Sequence, residues 1–295
     1  MSVRKAAAVL SRCCWIAFLA LVVISFLTDP LVPYGVTFVP AVVGIVIGLT
    51  LNRRSRADLA GDRPAVVTEP PVTGRWSALN SPADRVPSHG THVYGQTYAI
   101  DIVAEPQGAG APARPPFRWL WPLVRRNRDF PAFGAPLFAV ADGTVVRAND
   151  GRRDHLSRNS GPALACLMLF EAPLRDMTGA GGVVGNHLVL DLGDGTYALY
   201  AHLRRGSLLV RAGDTVEAGQ ELAACGNSGN STEPHVHFQL MDAPDLDVAR
   251  GIPFSWRGIG VPANGEHFTV RETLDGSADE GTGSSEGTGS SGSAG

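Results

Sequence analysis

Lysine is almost missing from this chain: Lys5 is the one lysine in 295 residues, and arginine carries the rest of the positive charge. The formal net charge is -3, so no basic excess argues for nucleic-acid binding. Cysteine is scarce as well. The four present, Cys13, Cys14, Cys166 and Cys225, form no Cys-x-x-Cys spacing, which removes the usual thiolate metal and redox motifs. Cys166 and Cys225 are expected as two buried free thiols, with a disulfide between them left open. Patterns for long helices are few outside the N-terminal region, and 35 glycines with 21 prolines favour strands, turns and loops. From Asp275 onward there is no apolar face at all, only Gly, Ser, Thr and Glu repeats, so 275–295 is expected to be a disordered tail.

What the chain does have is apolar sequence at its start. One run covers roughly Cys14 to Leu27 and a second roughly Val36 to Leu51, separated by Asp29-Pro30 and Pro33-Tyr34-Gly35. With flanking residues each approaches the roughly 17–25 residues a spanning helix needs. No small-x-small cleavage site follows the first run, and Cys13 and Cys14 precede it, which argues against a secretory or lipoprotein signal. Residues 1–54 therefore read as an N-terminal segment of two transmembrane helices. Arg4, Lys5 and Arg12 precede the first, and Arg53, Arg54 and Arg56 follow the second. The positive-inside rule then puts both ends in the cytoplasm.

Residues 55–72 read as a polar, proline-bearing linker, and 73–274 as a compact domain. Strands are predicted at Gln96–Val103, Pro136–Val140, Gly143–Ala148, Leu164–Phe170, His187–Asp191, Tyr197–Leu203 and His235–Met241. They are punctuated by Asp-Gly and Gly-Asp turns, with Asp194-Gly195 as a hairpin signal. Such spacing indicates a mainly β fold built on antiparallel sheet. Residues 106–134, rich in proline, arginine and tryptophan, read as an inserted loop. Within it, Trp119-Leu120-Trp121 is expected to form a satellite core, with an interfacial membrane anchor as the alternative.

The chemistry centres on Pro234-His235-Val236-His237-Phe238. In a strand, alternate side chains share a face, so His235 and His237 project together. A lone His-x-His pair is weak evidence. Here it is joined by Ser88-His89-Gly90-Thr91-His92, by Asp101 and by Ala201-His202-Leu203. Those supply the ligand types, and the spare base, that a hydrolytic zinc site needs. Asp101 offers a carboxylate, His89 or His92 a second ligand, and one of His235 and His237 a third, while His202 stands as a free imidazole on another strand. His155 and His187 read as structural, and His267 receives no role.

Tyr200-Ala201-His202-Leu203 and the stretch from Gly226 to Phe238 resemble the two C-terminal motifs of the lysostaphin/LytM-type zinc endopeptidases of peptidase family M23. The resemblance covers most of residues 73–242. It implies an antiparallel β peptidase domain of the duplicated-hybrid-motif type, Zn²⁺ as cofactor, and hydrolysis of peptide bonds in peptidoglycan stems or cross-bridges. It also implies roles: His237, Asp101 and His89 (His92 as the alternate) as metal ligands, with His202 and His235 as the catalytic histidines. Two departures stand out. The family's first motif has the form His-x-Gly-x-Asp, whereas a longer segment here separates His89 and His92 from Asp101. Glu233 occupies a position where the family more often has glycine.

Two other readings compete. A relative that has lost ligands acts as a non-catalytic regulator of wall hydrolases, but the full set is present here. Ala212-Gly213-Asp214-Thr215-Val216-Glu217-Ala218-Gly219-Gln220 also resembles biotinyl and lipoyl carrier domains; with no lysine after Lys5, carrier function is excluded. A peptidoglycan substrate lies outside the membrane, so the domain is expected to face the cell wall, against the charge pattern. Oligomeric state is not legible.

Overall fold

The computed structural model describes residues 3–28, 32–58, 63–106 and 113–271. Three N-terminal helices come first: α1 (Val3–Leu27), the short α2 (Tyr34–Thr37) and α3 (Val39–Asp58). Within Val3–Leu27 and Tyr34–Arg54 an 18-residue stretch reaches mean hydropathy 2.3 and 2.0, and both helices are long and apolar enough to cross a membrane. The 25 residues of α1 span about 38 Å at ~1.5 Å each, more than a ~30 Å hydrocarbon core. The two long helices pack side by side, with Ser11 Oγ donating to the Gly44 carbonyl (3.2 Å) and the rings of Phe18 and Phe38 in contact.

The hairpin is joined to the rest by its open end. Lys5 Nζ pairs with Asp245 (2.6 Å), and Arg12 pairs with Asp247 and donates to the Tyr94 hydroxyl (3.2 Å). On α3, Asn52 Oδ1 accepts from the His92 backbone N–H (3.0 Å). The start of α1 and the end of α3 thus both lie against the β domain.

Among the described residues thirteen strands follow: β1 (Val66–Thr68), β2 (Gly74–Leu79), β3 (Ile100–Ala104), β4 (Pro136–Phe138), β5 (Gly143–Asn149), β6 (His187–Asp191), β7 (Tyr197–Ala201), β8 (Thr215–Val216), β9 (Glu221–Ala224), β10 (Val236–Met241), β11 (Gly251–Ile252), β12 (Phe254–Trp256) and β13 (His267–Val270). The main sheet runs β13-β2-β3-β10-β7-β6-β5-β8, with β11 also on β10, and every pairing in it is antiparallel. β4 pairs with β9, and β1 lies parallel to β12.

Period-2 alternation sorts the side chains of the central strands onto two faces. Ile100, Ile102, Tyr200, Val236, Phe238 and Leu240 go to the larger core, where Phe238 meets Tyr200, Phe254 and Trp256. Leu199, Ala201 and Met241 turn the other way, towards a smaller cluster with Val184 and Leu246. Asp101, His237 and Gln239 share that second face. The polar site is therefore built on the sheet surface opposite the main core.

Several expectations fail for identifiable reasons. Leu164–Phe170 is not a strand. It lies in a helical run made of α4 (Gly161–Cys166), a π turn (Leu167–Glu171) and α5 (Ala172–Met177), with α6 (Ala180–Val184) beyond. Ser160 caps α4 by accepting from the Ala163 N–H, and Pro162 sits in the first turn, where a missing N–H costs nothing. The first predicted strand starts later than expected. Tyr94 and Gly95 at φ 61° and 76° fold 93–98 into a turn, and β3 begins at Ile100. Trp119-Leu120-Trp121 is exposed and forms no satellite core. Both Cys166 and Cys225 are free, but only Cys225 is buried; Cys166 is exposed. Within 63–72, β1 is already part of the fold and Val72 is buried in the main core. The expected tail, 275–295, and residues 107–112 of the expected loop lie outside the described residues.

Candidate metal centre

Sheet register places the first two groups. Asp101 on β3 stands directly across from His237 on β10, which stands across from Ala201 on β7. His235 immediately precedes β10, and His202 immediately follows β7. His202 has φ 60°, a left-handed conformation that costs a non-glycine residue ~1–3 kcal/mol and swings its ring towards β10. His89 arrives from the loop before β3. Asp101 is the hub: His237 Nδ1 lies 2.9 Å from its Oδ1, His89 Nε2 lies 3.0 Å from its Oδ2, and His235 Nε2 lies 3.5 Å from its Oδ1. One ligand atom each from His89, Asp101 and His237 falls within 4.8 Å of the others, a group that could hold a metal ion. His202 is in ring contact with both His235 (4.8 Å between centroids) and His237 (5.7 Å). His92 is turned away; its Nδ1 lies 3.1 Å from Thr97 Oγ1, and it is not part of this group.

The protons on these rings can be assigned from their partners. Gln239 Nε2 donates to the Tyr94 carbonyl (2.8 Å), so its Oε1 is the end that faces His237 Nε2 at 3.1 Å. His237 therefore carries its hydrogen on Nε2 and presents a lone pair at Nδ1. Ser88 Oγ gives its hydrogen to the Ala99 carbonyl (2.6 Å) and accepts from His89 Nδ1 (3.0 Å). His89 then presents a lone pair at Nε2. Two imidazole lone pairs thus point at the oxygens of one carboxylate at 2.9 and 3.0 Å. Acceptors facing acceptors at that range repel unless a cation sits among them. Each ring's far N–H is meanwhile fixed by an acceptor, the usual support for a metal-bound histidine. The donor set, two imidazoles and a carboxylate, suits zinc and leaves room for water.

The other two rings are fixed in the same way. His235 Nδ1 donates to the Glu233 carbonyl (2.8 Å), and His202 Nδ1 donates to the Ser228 carbonyl (2.8 Å), so both turn Nε2 inward. Burial would raise the Asp101 carboxyl, but positive charge around it, on the His89 and His235 rings when they are protonated or on a bound cation when they are not, holds it well below the usual carboxylate range. Burial, then His235 and His237, push His202 well below an ordinary imidazole, which keeps it neutral. Burial also lowers His237, whereas the Asp101 carboxylate overcomes burial at His235 and raises it.

Glu233 faces away from the metal group. Its carboxylate is held by Arg114 (Nε 2.7 Å) and by Asn159 Nδ2 (3.1 Å), and it lines a cavity of ≈ 560 Å³ with residues 113–117, Arg158 and Asn159. His187 donates to the Gly185 carbonyl, His155 bonds the Gly229 carbonyl and His267 lies at the sheet edge near Glu105; none joins the cluster. Sequence reasoning missed Gln239, Ser88 and Asn80, whose Nδ2 donates to Asp101 Oδ2 at 2.9 Å. Gln239 was within reach, since positions 235, 237 and 239 share one face of a strand.

Part of the chain is similar to known proteins. Residues 174–247 match the sequence model of peptidase family M23. A protein of Haemophilus influenzae described as an uncharacterized metalloprotease is 42% identical over 107 residues, 36% of this chain and 16% of that protein. Peptidoglycan DD-endopeptidase ShyA of Vibrio cholerae is 32% identical over 78 residues, 26% of this chain and 16% of the relative. Glycyl-glycine endopeptidase ALE-1 of Staphylococcus capitis is 32% identical over 109 residues, 37% of this chain and 22% of the relative. The chain thus matches only about a fifth or less of the length of these curated relatives. Among solved structures, the catalytic domain of lysostaphin from Staphylococcus simulans aligns with TM-score 0.27 at 22% identity, over 50% of this chain and 84% of that one. The stretch matching peptidase family M23 contains His202, His235 and His237, whereas His89 and Asp101 lie before it.

Proposed function

We propose that this protein is a membrane-anchored zinc endopeptidase that hydrolyses peptide bonds in peptidoglycan. The observation that carries the reading is the convergence of His89 Nε2, Asp101 and His237 Nδ1, each imidazole with its far N–H already engaged. Two relatives named as peptidoglycan and glycyl-glycine endopeptidases support the substrate class. In this reading His89, Asp101 and His237 hold the metal. Zinc held there would supply Lewis acidity, activating water near neutral pH and polarising a scissile carbonyl. His202, neutral and with Nε2 turned inward, accepts a proton at that atom. His235, whose Nδ1–H is fixed on the Glu233 carbonyl and whose protonated form Asp101 favours, donates its Nε2–H to the oxygen on which charge develops. Both rings turn Nε2 inward alike, so the two roles are divided by charge: burial and its neighbours hold His202 neutral, whereas Asp101 favours the charged form of His235.

Residues 73–274 form the peptidase domain in this proposal, 1–54 the membrane hairpin and 55–72 the connection, whose later part, with β1 and Val72, is packed onto the domain. The domain faces the cell wall. Both hairpin ends lie on the domain's side, and two of the basic residues that the positive-inside rule counts, Lys5 and Arg12, are paired with Asp245 and Asp247. Those pairings weaken the charge argument for a cytoplasmic domain. A reporter fused after Leu274 should be active outside the membrane; activity confined to the cytoplasm would contradict the wall-facing assignment.

The chemistry is tested on the full chain in detergent, by metal analysis together with digestion of purified peptidoglycan. His237→Ala should lose zinc and turnover together. His202→Ala should keep zinc and lose turnover by at least ~100-fold, the low end of what a positioned proton-transfer group contributes. Zinc binding by the unmodified chain with no release of peptide ends would favour the non-catalytic regulator instead.

A further inference from the structure

The helical run Gly161–Met177 is inside out. Its charged residues are partly covered, with Glu171 held by Arg158 (2.9 Å) and Arg175 (2.7 Å). Every one of its exposed positions is apolar, and the largest are Met168, Leu169, Phe170 and Leu174. Leu169 is 68% exposed and Phe170 63%. A soluble surface helix shows the opposite arrangement.

This face continues into the tryptophan-bearing loop. Arg118 and Ser160 form a β-bridge, and a Cβ on Gly161 would fall 2.8 Å from the Trp119 carbonyl and 3.5 Å from its ring. Trp119 and Trp121, 81% and 76% exposed, therefore stand beside the start of α4 with Leu120 between them. Arg118, Arg126 and Arg128 are exposed in the same loop, and no acidic residue occurs between Arg114 and Arg128. At its other end the strip reaches the hairpin. α5 packs on α1, and Met168, Ala172 and Pro173 share a cavity with Arg4, Ala8 and Ser11. Arg12 is the last charged residue before the apolar run of α1, so the strip meets the hairpin at the level where α1 enters a bilayer.

We propose that this strip, Trp119–Trp121 with the apolar face of Gly161–Met177, is a second membrane contact seated in the interface of the bilayer that the hairpin crosses, with the neighbouring arginines on anionic headgroups. Tryptophan and arginine beside aliphatic side chains are what the interface favours, the rings at headgroup level and the cations reaching to phosphate. Continuity with the hairpin selects lipid over a protein partner as the occupant. The proposal rests on the hairpin spanning a membrane and is independent of the zinc chemistry. Its consequence is orientation: the domain is held at two points, so its site keeps a fixed face towards the wall.

The test uses the full chain in nanodiscs of phosphatidylcholine with and without phosphatidylglycerol, with brominated acyl chains as quencher and tryptophan emission as readout. The five tryptophans are Trp15 in α1, Trp76 and Trp256 buried in the domain, and Trp119 and Trp121. The expected result is bromolipid quenching well beyond the share of Trp15, lost in W119F/W121F. R118Q/R126Q/R128Q should remove its dependence on phosphatidylglycerol. Equal quenching in the unmodified chain and in W119F/W121F would overturn the proposal. So would shielding of these tryptophans from acrylamide without bromolipid quenching, which would mean that a protein surface covers the strip. Loss of all bromolipid quenching, Trp15 included, would overturn it together with the membrane reading of the hairpin. Zinc content measured on the same samples reports separately on the metal site.

Discussion

One buried amide does much of the positioning at this site. Gln239 is fully buried and uses both ends of its side chain, accepting from His237 Nε2 and donating to the Tyr94 carbonyl. The first contact sets which nitrogen of His237 is free. The second ties β10 to the turn at Tyr94, whose hydroxyl also meets Arg12 of α1. Gln239→Leu keeps the size and removes both bonds. Metal affinity should fall about 10–100-fold, the usual effect of losing such a supporting partner, while the three ligands stay in place. Competition with a chelator at fixed pH reads the change; unchanged affinity would mean that His237 is oriented by packing alone.

At the scale of elements, the site depends on loops meeting back to back. His202 is aimed by the Ser228 carbonyl, and Ser228 Oγ accepts from the Asn186 N–H (2.9 Å) and donates to the Leu203 carbonyl (3.0 Å). That fit requires Gly185, at φ 67°, to lie against the backbone at 228–229; a Cβ there would fall 2.5 Å from the Ser228 carbonyl carbon. Gly185→Ala must therefore push the 226–231 loop away from β7. Turnover should drop sharply with zinc retained, because the displaced group supports His202 and no metal ligand. Retained turnover, measured beside zinc content, would show that His202 does not need this carbonyl.

For the molecule as a whole, the sequence was most informative where a side-chain period met a buried face. The alternation around His235–His237 and Tyr200–Ala201 follows from one face of β10 and β7 lying on the main core, so the strands and the face their histidines take could be read together. Leu164–Phe170 misled because a short apolar run fits a strand or a helix equally. Only the cap at Ser160 and the wholly apolar outer face separate the two, and that face has meaning beside a membrane, not beside water. The choice between His89 and His92 could not be made from spacing, since the turn at Tyr94 and Gly95 decides which ring faces Asp101. The partners of the hairpin's basic residues were hidden for a similar reason: Asp245 and Asp247 lie more than 200 positions away in sequence.

The central claim is that His89, Asp101 and His237 together hold one zinc ion. It is tested most directly by zinc stoichiometry of the purified full chain and of four variants, His89→Ala, Asp101→Ala, His237→Ala and His92→Ala. One zinc per chain in the unmodified protein and in His92→Ala, with little or none in the other three, is the predicted result. Full zinc occupancy in His89→Ala or Asp101→Ala would contradict it.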